Sequence, residues 1–312
     1  MGRVCFLLPA PEHMDPVPVG SLLSRCLPRG DSLTLEPGDE AQLMRHVDVL
    51  PRRLSMAAVS RQYDCGDALG SSWLRADPVL MQADMTTGRL MAHGNLALTP
   101  ADVESLLRPL KPLFGDEGFP ISPGTRSAEA GNRWYLQLPF EAELPDFVPP
   151  EDALGADLGD CLPAGDIGRR WRRLFSEAQI VLHNHELNAR RRDAGLPSIN
   201  GIWFWGGGRL PDNVTLSHAN VVSGDARMHM LLALSSQSSR VIEDFEAAID
   251  KKSVDGDWLV DLRQRRDAGK VVEAALPLIQ RHLAEGEVAF DFSDGRVVTW
   301  RRAHRWRFWR RG

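Results

Sequence analysis

The stretch HNHELNARRRDAGLPSINGIWFWGGGRLP, residues 183–211, concentrates side chains able to hold anions or metals. Three consecutive glycines, Gly206, Gly207 and Gly208, would let backbone N–H groups approach an anion closely, and Arg209 directly after them adds a charge-assisted contact to phosphate or carboxylate. The run matches neither G-x-G-x-x-G opening a helix nor the P-loop, because no helix follows at once and no Lys-Ser/Thr is present. A tight turn without a ligand explains it equally well. Upstream, His185, Asn188 and Arg191 or Arg192 have the spacing of neighbours on a helix. They can hydrogen-bond an acidic ligand, or instead cap the helix and pair with Glu186 or Asp193. His183 and His185 point about 200° apart on a regular helix, which disfavours a shared metal.

Ser223, Asp225 and Asp261 are the candidates for catalysis. Ser223 and Asp225 follow the expected strand HANVV and Asp261 stands at the end of the expected strand DWLVDL, and open α/β sheets collect ligands beyond the carboxyl ends of their strands. Together with Gly206–Gly208 they are expected to line one crevice. VVSGD lacks the G-x-S-x-G elbow, and no histidine is evident as a base for Ser223. His229, in MHM, reads as a core histidine, and Asp84 and His93 as solvated polar groups beside a turn. The tail TWRRAHRWRFWRRG holds six arginines and no acid. It could clamp phosphates while stacking on bases, or lie on an anionic membrane. Alternatively it is a last helix whose Trp300, Phe308 and Trp309 pack on the core.

These groups need a scaffold, and 312 residues with 43% hydrophobic and 25% charged content suffice for one large core or two smaller ones. The net charge of −5 hides the basic tail. No segment reaches the roughly 20 apolar residues of a membrane span, and the first apolar run, VCFLLPAP, lacks the features of a secretory signal. Cys5, Cys26, Cys65 and Cys161 are scattered, which suggests reduced thiols and a cytoplasmic protein.

RVCFLLP reads as a buried first strand and SLLSRCL as a helix. Residues 79–93 form a hairpin, and TPADVESLLRPLKPLF is a helix from the Thr99 cap to near Pro112. One helix is expected over 169–194, then the strand GIWFW and a glycine loop. Later come a helix kinked at Pro277 and a hairpin on Asp-Gly in EVAFDFSDGRVVTW. The alternation predicts an α/β fold: a largely parallel sheet with helices on both faces and an antiparallel edge hairpin. Residues 139–168, rich in Pro, Gly and Asp, separate a portion 1–168 from a portion 169–312, unless the two form one continuous domain.

Over residues 171–237 the sequence resembles the archaeal-type cofactor-independent phosphoglycerate mutases, members of the alkaline-phosphatase-like metalloenzymes. Their segment of the form H-P-V-N, Arg or Lys, Gly-Leu-x-x-(Ala)-Asn, an apolar strand and W-G-x-G-x-x-P is matched by His185, Asn188, Arg191, Gly195, Leu196, Asn200, Trp205, Gly206, Gly208 and Pro211. Over most of its length the chain is similar to RpfE-type bacterial regulatory proteins, through ADPV at 76–79, RWYL at 133–136, residues 183–208 and RFWRR in the tail.

The resemblance implies a degenerate alkaline-phosphatase-like core. The mutases use two divalent metals, held by aspartates after the first strand and by Asp and His groups late in the chain, with a Ser or Thr that takes the phosphoryl group. Here the first strand is followed by LLPAPEH, without Asp-Gly, and DWLVDL by RQRRDAGK, without histidine. The expectation is therefore a non-catalytic or degenerate relative with a regulatory or ligand-binding role, to which no cofactor is assigned and whose ligand would be a phosphorylated or acidic small molecule. Its binding surface would be His185, Asn188, Arg191, Asn200, Trp205, Gly206, Gly207, Gly208 and Arg209, unless these residues only fasten helix to strand. The alternatives are a phosphomutase or phosphatase using Mn, Mg or Zn on Asp77, Asp84, Ser223, Asp225, Asp261 or a stray histidine, and a module that contacts nucleic acid or protein through residues 299–312.

Overall fold

The computed structural model describes residues 2–83, 88–242, 245 and 256–307. The chain forms two compact units, one built from Met1–Arg52 with Asn213–Gly312 and the other from Arg53–Asp212. This division differs from portions meeting at residue 168. The first unit is assembled from both ends of the chain, because Arg3–Leu8 pairs with Trp258–Asp261 on one side and Glu287–Phe292 on the other. Local composition carries no trace of such distant pairing.

The first unit is a seven-stranded sheet in the order 240–241, 220–222, 258–261, 3–8, 287–292, 296–301, 31–34. The first five strands run parallel, so the mixed α/β class with a mostly parallel sheet holds for this unit. The expected hairpin turns at Gly295, whose φ is +90°, but it is not the edge. Asp31–Thr34 pairs outside it, a short exposed strand without an apolar pattern to betray it.

Alternation along the strands sorts the side chains. Val4, Phe6 and Leu8 join Trp258, Val260, Val288, Phe290 and Phe292 in a core covered by helices Leu22–Cys26, Ala268–Ala274 and Leu276–Glu285. Pro277 sits at the start of the last of these, where its missing N–H costs nothing. The register places Asp261 and Asp291 on either side of Leu7, so both carboxylates project from the opposite face.

The second unit departs from the expected parallel arrangement. Its five strands are all antiparallel, organised on the long strand Ser72–Ala83, which pairs with Gly88–Ala92, Trp134–Leu138 and Gly201–Arg209, while Ile121–Pro123 pairs with Trp134–Leu138. The helix opened by the Thr99–Asp102 capping box runs to Gly115, through Pro109 and Pro112. Burial of Leu110 and Phe114 outweighs the local cost of the prolines. The long helix breaks instead, into Gly165–His183 and Leu187–Asp193, so His183 and His185 do not share a regular helix. Among the described residues no helix is long and apolar enough to cross a membrane.

Candidate functional site

Ser223, Asp225 and Asp261 do come together, at the carboxyl ends of the adjacent strands Asn220–Val222 and Trp258–Asp261. The Ser223 hydroxyl donates to Asp261 Oδ2 at 2.8 Å and accepts from the Asp225 N–H at 3.0 Å. Asp225 also caps helix Ala226–Leu234.

Two arginines complete the group. Arg263 donates through Nε to Asp261 Oδ1 at 2.9 Å, and its Nη2 bridges Asp261 Oδ2 at 2.8 Å and Asp225 Oδ2 at 2.9 Å. Arg227 donates to Asp225 Oδ2 at 2.9 Å and reaches Asp39 at 3.4 Å. Asp225, Asp261 and Arg263 are buried. Burial opposes the charge on Asp225, but Arg227 and Arg263 outweigh it and hold the carboxyl below its ordinary range.

The residues present do not fit a pair of divalent ions. Such ions would need the carboxylate oxygens that the guanidiniums already engage, and among the described residues no group of three or more His, Cys, Asp and Glu has metal-holding geometry. Arg263 lies in RQRRDAGK, the segment in which a histidine is missing. His229 is exposed rather than in the core, with a ring nitrogen 2.7 Å from the Ser223 carbonyl oxygen.

A second polar group in the same unit escaped sequence reasoning. Buried His46 lies 3.0 Å from Asp291 Oδ2, 3.3 Å from His218 and 3.8 Å from Cys5 Sγ, while Arg45 also pairs with Asp291. The residues are too far apart in sequence to form a motif. Burial opposes the charge on His46, yet Cys5 and Asp291 lift its pKa to about 9. Burial, reinforced by His46, drops that of His218 to about 4.

The signs of these shifts are opposite. The stability contributed by protonated His46 is complete below its ordinary pKa of 6.5 and is lost as pH rises through about 9. That of neutral His218 is complete above 6.5 and is lost as pH falls toward about 4. Melting temperature is therefore expected to peak near neutrality, with an alkaline limb on the order of 2–3 kcal/mol. Scanning fluorimetry across pH should show that limb flattened in His46→Gln; an unchanged limb would contradict the assignment.

The residues of 183–211 lie in the second unit. His185 Nε2 meets the Ser105 carbonyl at 3.1 Å, and its Nδ1 accepts from the Leu187 N–H at 3.2 Å. Asn188 donates to the carbonyls of Leu182 and Ile199 and accepts from the Ile199 N–H. Arg191 donates to the carbonyls of Pro197, Ala97 and Leu96. Asn200 bonds both backbone groups of Met81, and Trp205 donates to Asp77 at 2.7 Å. These polar atoms tie helix, loop and strand together. Arg209 is more exposed, 3.8 Å from Glu141 and stacked over Phe140.

The glycines do not form a loop after the strand. They lie inside Gly201–Arg209, where the register with Ser72–Val79 shifts between Trp73 and Arg75, as glycines in a bulged strand do. Gly206 has a φ of +66°, and a Cβ there would sit 3.2 Å from the Ala57 nitrogen. Gly206→Ala is expected to cost about 1–2 kcal/mol, measurable by urea titration. Asp77 is in this unit, paired with Arg75, and Asp84 lies outside the described residues.

No family model matches the chain. In sequence it is similar to cofactor-independent phosphoglycerate mutases. A probable 2,3-bisphosphoglycerate-independent phosphoglycerate mutase of Geobacter sulfurreducens is 28% identical over 148 residues, 47% of this chain and 36% of that protein. The 2,3-bisphosphoglycerate-independent phosphoglycerate mutase of Methanosarcina barkeri is 28% identical over 145 residues, 44% and 34% of the two chains. That of Methanothrix thermoacetophila is 38% identical over 106 residues, 32% and 27%. The similarity thus spans about a third of the length of these relatives. Among solved structures, the cofactor-independent phosphoglycerate mutase of Thermoplasma acidophilum superposes with a TM-score of 0.42 at 14% identity, covering 96% of this chain and 90% of its own. The PH0037 protein of Pyrococcus horikoshii does so with a TM-score of 0.49 at 10% identity, covering 96% and 86%.

Proposed function

We propose that this chain is a phosphoglycerate-mutase-like protein without phosphoryl transfer, a regulatory or ligand-binding relative of the RpfE type acting in the cytoplasm on a phosphorylated or acidic small ligand. The observation that carries the reading is Arg263, whose guanidinium bridges Asp225 and Asp261 where a metal-dependent mechanism would need free carboxylates. Four free thiols suit a reducing compartment. The second reading, a phosphomutase or phosphatase with a rearranged site, draws on Ser223 donating to Asp261 ahead of a helix N-terminus.

Elemental analysis, a mutase assay and melting curves with Mn, Mg, Zn and 3-phosphoglycerate separate the two. The expected result is no stoichiometric metal, no turnover and no stabilisation by metal. Stabilisation by 3-phosphoglycerate alone would identify a retained phosphoester site. Bound metal with turnover that disappears in Ser223→Ala would overturn the proposal.

A further inference from the structure

The end of the described chain divides its cations between two rows. After strand Arg296–Arg301 the backbone winds into a 3-10 helix, Arg302–Trp306, in which residues three apart eclipse one another. One row is Arg301, His304 and Arg307. All three reach Asp31, at 3.3, 3.3 and 2.6 Å, and Arg301 also pairs with Glu287 at 2.7 Å. The adjacent row is Arg302 and Arg305, both exposed. Among the described residues no carboxylate pairs with either.

Those two arginines line a cavity of about 340 Å³ whose other walls are Gln280, Leu283, Ala284 and Trp300. The size is at the lower end of small-ligand sites, which run from roughly 300 Å³. The indole Nε1 of Trp300 is buried without a hydrogen-bond acceptor. Trp306, directly after Arg305 in the chain, is 60% exposed, with the Arg305 guanidinium 4.8 Å from its ring centre.

We propose that this cavity binds a nucleotide unit. Arg302 and Arg305 hold the phosphate, while the planar base lies against the wall formed by Leu283, Ala284 and Trp300. Two uncompensated guanidiniums favour a dianionic or bridging phosphate through charge-assisted bonds. The aromatic and apolar walls favour a ligand with a ring over a bare anion, and exposed tryptophan beside arginine is the pairing on which bases stack. The chain carries a net charge of −5, so attraction for an anion must be local. This inference is independent of whether mutase chemistry is retained.

The test uses the full chain with two probes, AMP followed by calorimetry and a fluorescein-labelled oligodeoxythymidine followed by anisotropy. Arg302→Ala/Arg305→Ala is expected to weaken binding by about tenfold or more, since a lost charge-assisted contact is worth roughly 1.5 kcal/mol. For the oligonucleotide the salt slope should fall by roughly 1.4. Arg169→Ala, which removes one exposed arginine from the other unit, should leave binding unchanged, and Trp300→Phe should weaken it several-fold. Comparable affinity for AMP and the oligonucleotide points to a free nucleotide; binding of the oligonucleotide alone points to a single strand. Either is the shared chemistry proposed. Binding that survives the double arginine variant, displacement by inorganic phosphate as effective as by AMP, or no binding of either probe overturns it.

Discussion

Arg263→Ala is expected to lower stability by roughly 3–5 kcal/mol, the largest effect of a single substitution in the first unit. The side chain is almost fully buried and neutralises two carboxylates, themselves buried, through three short bonds. Removing it leaves Asp225 with Arg227 but strips Asp261 of its fork, leaving that carboxylate the Ser223 hydroxyl at 2.8 Å and the backbone N–H of residue 263 at 3.2 Å. The midpoint of a urea titration should drop without a change in slope. An unchanged midpoint would mean that the carboxylates are hydrated and the bridge is weak, and that would also remove the main support for a site closed to metal. Restoration of stability by Mn or Zn in Arg263→Ala alone would indicate that the arginine stands where a cation can be held.

Asp77→Ala should be comparably damaging in the second unit, again roughly 3–5 kcal/mol. One buried carboxylate there accepts from Arg75 Nε at 2.8 Å and Nη2 at 2.7 Å, from Trp205 Nε1 at 2.7 Å and from the Trp134 N–H at 3.3 Å. Arg75, left without its partner, is enclosed by the rings of Tyr135 and Trp205 at 5.4 and 5.0 Å and by the Ser60 hydroxyl. Asp77→Asn keeps the shape and some acceptors and is expected to lose less. Tryptophan fluorescence during unfolding reports on the group directly. If both variants unfold like the parent, the carboxylate is not the hub that the geometry describes.

The candidate site was legible in part. Ser223, Asp225 and Asp261 could be singled out because each ends or follows a short apolar strand, and their convergence follows from the parallel pairing of those strands. Arg263 and Arg227 were hidden, since an arginine two residues after an aspartate looks like any solvated pair until the fold buries Asp225, Asp261 and Arg263 and half-buries Arg227. His46, His218, Cys5 and Asp291 left no signal at all, being brought together from four separate segments by the sheet and its covering chain. For His185, Asn188, Arg191 and Asn200 the side-chain types were visible, but the alternative between holding a ligand and fastening the backbone rested on partners such as Ser105, Leu96 and Met81, up to 119 residues away.

The sequence by itself determined the local elements: the buried first strand, the capped helix after Thr99, the hairpin on Gly295, and the departure from mutase spacing after DWLVDL. Apolar periodicity, caps and turn residues act within a few residues of one another, so they can be read in order. Tertiary structure alone decided that both chain ends build one unit, that the glycines run inside an antiparallel strand, and that guanidiniums occupy the carboxylate pair. Strand pairing and charge compensation join residues far apart in the chain, and their energies depend on burial that no local pattern encodes.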